Sequence, residues 1–416
     1  MKDNYEMDDL WFGKLPSHWA VNKIGQLYRE RKTKVSDYDY PALSVTMQGI
    51  LPQLEHAAKT DAHDDRKLIR KGDFVINSRS DRRGSCGISD YDGSCSLINT
   101  VLAPKTEMNP QYYNWFFHTT RFAEEFYRWG HGIVDDLWTT RYEDMKRIMI
   151  PVPPLEEQEL IASYLDKKCA AIDEAIARRR QIIERLEDYR SSQISFMATK
   201  GIKNNVQMKN SGTDWFGEIP NTWSVKRFKY IAQVKSNLVE PEPYLSLDQI
   251  GPDIIEKNSG RLIGKRTVED AGVISGNHLF HKGQILYSKV RPALNKVVVA
   301  PFDGLCSADM YPIETSMDTE YLKYLMLSKP FVEQTRIIAM IRVKMPKINQ
   351  DELGDILCVV PPADEQKEIA SKIYAMCSRV ESMIAKNDEI INKLEEYRKS
   401  IIYNAVTGKI DCREAV

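Results

Sequence analysis

Three short stretches carry residue types at spacings that chemistry uses. Gly260-Arg-Leu-Ile-Gly264-Lys265 has the outline of a phosphate-cradling loop, in which backbone N–H groups and a lysine hold phosphates. It lacks one spacer residue and the Ser/Thr that would reach a metal, so it reads as a turn. Glu365-Gln366-Lys367 has the E-x-K spacing of a nuclease. It opens a long helical pattern, however, where acids favour the positive end of the helix dipole. Pro153-Pro154-Leu155 departs from the Asn/Asp-Pro-Pro-aromatic motif that holds a flipped adenine in amino-methyltransferases. No glycine-rich loop follows a strand in the manner of a nucleotide- or adenosylmethionine-binding fold. The seven His do not cluster at metal-ligand spacings. The seven Cys (86, 95, 169, 306, 358, 377, 412) include no C-x-x-C pair, which suggests neither a zinc site nor a disulfide framework. No active site emerges, and the chain is expected not to be an enzyme.

Two basic, polar loops remain. Asn77-Ser-Arg-Ser-Asp-Arg-Arg-Gly84 and Ser288-Lys-Val-Arg-Pro-Ala-Leu-Asn-Lys296 each follow a Lys-Gly pair and a strand-like run. Arginine can bind guanine through two hydrogen bonds in the major groove, and Ser, Asn and Lys can anchor phosphates. Two solvated loops would look similar. Their matching place in the chain favours function, because both are basic while their residues differ.

The elements that position these loops are duplicated. Pro153–Ile202 aligns without gaps on Pro361–Ile410, and 20 of the 50 positions are identical, too many for chance resemblance of two helices. Proline and acids open each copy (Glu156, Glu157; Asp364, Glu365), and Gly201 and Gly408 lie near the ends. Each copy predicts a helix of roughly 40–45 residues, about 60–65 Å long. Spacings of 4 and 3 select Leu165, Cys169, Ile172, Ile176, Arg179, Ile183, Leu186 and Arg190 in the first copy. The same register selects Ile373, Cys377, Val380, Ile384, Asn387, Ile391, Leu394 and Arg398 in the second. This is a coiled-coil seam with its polar interruptions at matching places, where they can fix register. The two copies are expected to pair.

A second repeat marks the domain entrances. Trp11, Gly13, Pro16, Trp19 and Val21 recur as Trp215, Gly217, Pro220, Trp223 and Val225, an offset of 204. An apolar clasp is the favoured reading, a ligand surface the other. Short β-branched and aromatic runs alternate with Gly turns between the repeats, predicting mixed α/β cores. Four segments follow: a variable domain at 1–152, a helix at 153–202, a variable domain at 203–360, and a helix with tail at 361–416.

Bulk properties fit. Apolar content of 42% supports packed cores, and a mean hydropathy of −0.44 predicts a water-soluble chain without a membrane span. The opening MKDNYEMDDLWF has no basic-then-apolar signal pattern, so a cytoplasmic location is expected. Net charge is −1, with 21 Lys/Arg against 22 Asp/Glu in 1–150 and 20 against 18 in 203–360. Neither half is a polycation, so DNA binding would need partners to supply part of the attraction.

The doubled P-P-x-[ED]-E-Q helix, the W-x-x-x-x-P-x-x-W entrances and the two variable domains together resemble the specificity subunit of a type I restriction–modification system, over essentially the whole chain. The resemblance implies two target-recognition domains, each reading one half of a split, asymmetric DNA sequence. It implies long helices that pair antiparallel on a pseudo-twofold frame, set the spacing, and dock two modification subunits. Those partners would carry S-adenosylmethionine and methylate adenine, a reaction that requires base flipping. Restriction subunits using ATP and Mg²⁺ can join. By the same resemblance, the DNA-binding candidates are Ser44, Thr46 and Gln48, Arg79, Arg82 and Arg83, and His131 in the first domain. In the second they are Ser246, Asp248, Lys289, Arg291, Asn295, Lys296 and Lys344. A specificity subunit of a combined nuclease–methyltransferase stays open as an alternative, as does a coiled-coil scaffold with two protein-binding heads.

Overall fold

The computed structural model describes residues 10–53, 64–132, 138–340, 342 and 346–415. Two helices dominate the chain, Leu155–Lys200 and Ala363–Val406, with 46 and 44 residues. The chain divides into two compact units, one of residues 1–178 and 389–416, the other of residues 179–388. Each unit therefore holds one variable domain and a segment of both long helices. The boundary between the units falls inside both long helices, because a helix segment buries its apolar seam against its partner segment as well as against the domain beside it.

In the first unit a ribbon joins Ala20–Lys23 to Met149–Val152, closing the domain at its junction with the helix. A four-stranded sheet follows in the order Tyr28–Glu30, Asn99–Pro104, Phe74–Asn77, Cys86–Ile88. Phe74 stacks on Phe117 with ring centroids 3.9 Å apart, locking the sheet to the helix Pro110–Phe117. A small sheet (Lys34–Val35, Arg66–Ile69, Gly93–Ser96) and a hairpin (Leu43–Thr46, Gly49–Pro52) complete the domain.

The second unit repeats this plan. Ser224–Arg227 pairs with Leu357–Val360, and a four-stranded sheet runs Ala232–Val234, Met310–Thr315, Ile285–Ser288, Val297–Val299. The smaller sheet is Leu238–Val239, Asn277–Phe280, Gly304–Cys306, Asp248–Ile250. The expected mixed cores are present, and their sheets are largely antiparallel rather than wound through parallel crossovers. Asp248–Ile250, which pairs parallel to Gly304–Cys306, is an exception.

The predicted seam is the less exposed face of both helices. Leu165, Cys169, Ile172 and Ile176 are buried, as are Ile373, Cys377, Val380, Asn387 and Ile391. Within each unit the helix segments run antiparallel. In the first, Asp173 meets Arg398 at 3.0 Å while Glu157 acts on Cys412 beyond the far end of the partner helix. In the second, Ile194 and Ala198 share a core with Ile369 and Ile373, and Arg179 donates to the side-chain oxygen of Asn387 at 3.3 Å. The matching interruptions Arg179 and Asn387 thus bond to each other, which penalises a register slip. Among the described residues, no helix is long and apolar enough to cross a membrane.

Candidate nucleic-acid interface

The repeated motif builds a clasp. Trp19 donates its indole N–H to Glu157 Oε2 at 2.9 Å, and Trp223 donates to Glu365 Oε2 at 3.2 Å. Gln158 donates to the Pro153 carbonyl and accepts from the backbone N–H of Asn109. Gln366 does the same with Pro361 and Asp318. Asn109 and Asp318 each cap a helix of their domain by accepting from Tyr112 and Tyr321 N–H. The hydroxyls of those tyrosines donate to carbonyls at the end of a long helix, Tyr112 to Val406 at 3.0 Å and Tyr321 to Ala198 at 2.7 Å. Glu, Gln and Trp are therefore consumed in fixing each domain to the helix segments of its own unit. Glu365 is a buried acceptor as well as a first-turn acid, a role its spacing could not reveal. Trp19 and Trp223, both buried, act as the apolar clasp.

This frame presents the loop that follows the third strand of each larger sheet. In the first unit, Asn77 Oδ1 accepts from Arg79 N–H at 3.0 Å, turning the chain. The Arg79 backbone bridges to Thr139, and Thr139 exchanges two backbone hydrogen bonds of 3.0 Å with His131. Arg79 and His131, 52 residues apart in sequence, are thus brought together by Thr139. His131 is exposed, with Nε2 3.5 Å from Asp144. Arg83 lies 3.4 Å over the Tyr127 ring, and Trp138 donates to the Tyr127 carbonyl at 2.9 Å. Arg82 is exposed.

The hairpin carrying Ser44, Thr46 and Gln48 packs on the strand that leaves this loop. A Cβ on Gly87 would stand 2.9 Å from Gly49 Cα, so the approach requires glycine. Thr46 closes the hairpin turn by donating to the Gly49 carbonyl at 2.9 Å and accepting from Gln48 N–H at 3.1 Å. Gln48 keeps an exposed side chain, while Ser44 and Thr46 are partly covered.

In the second unit the equivalent loop bridges Val290 to Lys347, and Arg291 N–H donates to the Pro346 carbonyl at 2.7 Å. Arg291 is exposed and holds a left-handed backbone, φ 49° and ψ 59°, directly before Pro292. A bulky residue there is strained by about 1–3 kcal/mol, and such strain concentrates at ligand-binding positions. Lys289 lies 5.3 Å over the Tyr311 ring. Burial and the nearby Lys289 ammonium hold His278 below the ordinary imidazole range, leaving it neutral at pH 7.

Some candidates are placed otherwise. Asn295 is only 1% exposed and left-handed, and its amide donates to the Leu327 carbonyl. It shapes the turn from inside and does not reach the surface. The Lys296 ammonium donates to the Pro252 carbonyl at 2.5 Å, pinning the neighbouring segment. Asp248 pairs with Lys265 at 3.4 Å, and Ser246 sits exposed on a turn. Lys344 lies outside the described residues. Gly260, at φ +75°, belongs to a turn closed by the Ile255–Leu262 bridge, as its imperfect phosphate-loop pattern implied.

Sequence reasoning passed over Thr139, Trp138, Lys347 and Arg266. The last forms two bonds with Asp253, of 2.6 and 2.9 Å. Thr139 and Lys347 had a signal, since both stand just before the helices, as His131 does. Burial pushes the Cys86 and Cys306 thiols up to about 12, so neither offers a thiolate at neutral pH. Among the described residues, no group of three or more His, Cys, Asp or Glu could hold a metal.

Residues 16–188 match the family model of the type I restriction modification DNA specificity domain. The specificity subunit of the type I restriction enzyme EcoDI from Escherichia coli is 32% identical over 421 residues, covering 96% of this chain and 90% of that protein. Among solved structures, a chain from a study of complex assembly and conformational transition in the type I R-M system has a TM-score of 0.72. It is 14% identical, with 95% of this chain and 100% of that one covered. The HsdS subunit from Thermoanaerobacter tengcongensis has a TM-score of 0.53 at 16% identity, with coverage of 95% and 98%. These low identities speak for the fold, and the EcoDI relative speaks for descent. With its doubled clasp and two basic loops, the chain belongs to the specificity subunits of type I restriction enzymes.

Proposed function

We propose that each unit reads one half of an asymmetric, bipartite double-stranded DNA target, and that the long helices hold the readers at a fixed spacing as an antiparallel coiled coil. The carrying observation is the doubling itself. The clasp uses the same Trp, Glu, Gln and Tyr in both units, with Asn109 and Asp318 as equivalent caps, whereas the basic side chains of the loops it presents stand at different positions. A shared frame with diverged loops suits a protein that reads two different half-sites. The chain makes no bonds itself in this reading. Two modification subunits supply adenine methylation with S-adenosylmethionine, and restriction subunits with ATP and Mg²⁺ can join, all in the cytoplasm.

The helices offer a docking surface for the modification subunits. Ile182, Tyr189 and Phe196 are spaced by seven and exposed, outside the seam. Met383, Ile390 and Tyr397 repeat the pattern on the second helix, Met383 and Tyr397 being exposed and Ile390 partly so. A second apolar stripe at heptad spacing suits apolar helices of a partner. Partner contacts with DNA would also make up for the near-neutral charge of this chain.

The test is exchange of the first variable domain for that of a relative. The reading expects a new sequence in one half-site and no change in the other; a change in both would sink it. At finer resolution, Arg291→Ala is expected to weaken discrimination at one position of the second half-site by about 1–3 kcal/mol, as for loss of a bidentate guanine contact. Competition binding with single-base variants measures it. Equal loss on every sequence would instead mark Arg291 as a phosphate contact.

A further inference from the structure

The internal repeat exposes a charge that has lost its partner. Arg190 and Arg398 are equivalent at an offset of 208, and so are Asp173 and Glu381. In the first unit the pair is made, with Arg398 Nε 3.0 Å from Asp173 Oδ1. In the second it is not. Arg190 is only 5% exposed, and its Nε, like that of Arg398, is buried without a hydrogen-bond partner; what Arg190 lacks is the facing carboxylate that Asp173 gives Arg398. No ion pair of Arg190 is found among the described residues. Glu381 instead sits 3.2 Å from Arg261 Nη1.

Arg261 belongs to the second variable domain, and it also binds Glu256 at 3.0 Å. Its turn abuts the basic loop: Asn258 N–H donates to the Asn295 carbonyl, and Lys296 reaches Pro252. Arg261 thus links the loop region to the helix seam. Arg190, Glu381 and Arg261 all lie near enough to Cys377 for their charges to act on its thiol. By the repeat, Glu381 holds the position from which Asp173 pairs with Arg398, yet it is bonded to Arg261 instead of Arg190. A buried guanidinium without a counter-charge is unfavourable, so any event that frees Glu381 should drive it to Arg190.

We propose that Glu381 is a shared acid, holding Arg261 in the free chain and turning to Arg190 when Arg261 moves to a DNA phosphate. This rests on the reading of the second unit as a DNA reader. Target binding then completes in the second unit the ion pair that the first unit already has, and couples loop engagement to the helix seam.

The experiment measures equilibrium binding of the complex with modification subunits to its target duplex, over a range of salt. Arg190→Met is expected to weaken binding about fivefold in the natural background and not in the Glu381→Gln background. Arg261→Ala is expected to lower the salt slope by about one phosphate contact. Equal effects of Arg190→Met in both backgrounds, or none in either, would overturn the proposal. If no duplex is bound sequence-specifically, it is the DNA-reader assignment that fails. Should Arg190→Met not fold, thermal unfolding decides with variants of Arg261 and Glu381. With Arg261→Ala, Glu381 pairs with Arg190 even in the free chain, so adding Glu381→Gln lowers the melting temperature. No change on adding it would show that Glu381 serves Arg261 alone.

Discussion

Trp223→Ala is expected to destabilise the second unit by about 3–5 kcal/mol, the largest loss for any single side chain of the frame. Trp223 is 0% exposed and packs in the core that joins the sheet, the helix Thr319–Leu327 and both long-helix segments of its unit. Its ring lies against Gly201, whose Cβ, if present, would stand 3.2 Å from the indole. Removal leaves a cavity and also deprives the buried Glu365 of the indole N–H. The equivalent Trp19→Ala should cost less. Trp19 is 8% exposed, and Glu157 keeps a second partner in His18 at 2.6 Å. Denaturant unfolding of the two variants checks the order, and equal losses would contradict the asymmetry.

One heptad inserted at equivalent points of both long helices should lose the original target, with at least a 100-fold fall in affinity expected from losing one half-site at about 1–3 kcal/mol per mismatched base pair. Seven residues keep the seam in phase while adding about 10 Å. The new preferred target, where one is bound, should carry the same half-sites with a gap about three base pairs longer, at roughly 3.4 Å per pair. Selection from a duplex library with randomised gap length measures it. Retention of the original gap would refute the spacing role of the helices.

Periodicity and repetition made much of this legible in the sequence. The helix lengths, the seam and its matching interruptions follow from a 4-3 spacing that only one helix face can satisfy. The side-chain partners of the motif were not legible. Glu157 and Glu365 read as first-turn acids because the dipole argument is local, whereas their bonds to Trp19 and Trp223 span 138 and 142 residues. Asn295 read as a DNA-facing residue because it lies in the basic loop after Lys-Gly, yet a left-handed turn places it inside. The meeting of Arg79 with Thr139 and His131 was hidden for a different reason. It depends on a β-bridge between segments that no periodicity links. Divergence between the two readers adds to this. The first has a hairpin at 43–52, while the second has the 3-10 turn Glu242–Tyr244 and the strand Asp248–Ile250 before its own basic loop.

The most direct test of the central claim is single-molecule sequencing of the host genome, with and without this gene, scoring N6-methyladenine. The account predicts a split, asymmetric motif, methylated only when the gene is present, whose two halves assign to the two units. With the modification subunit expressed and active, methylation that is independent of the gene would contradict it.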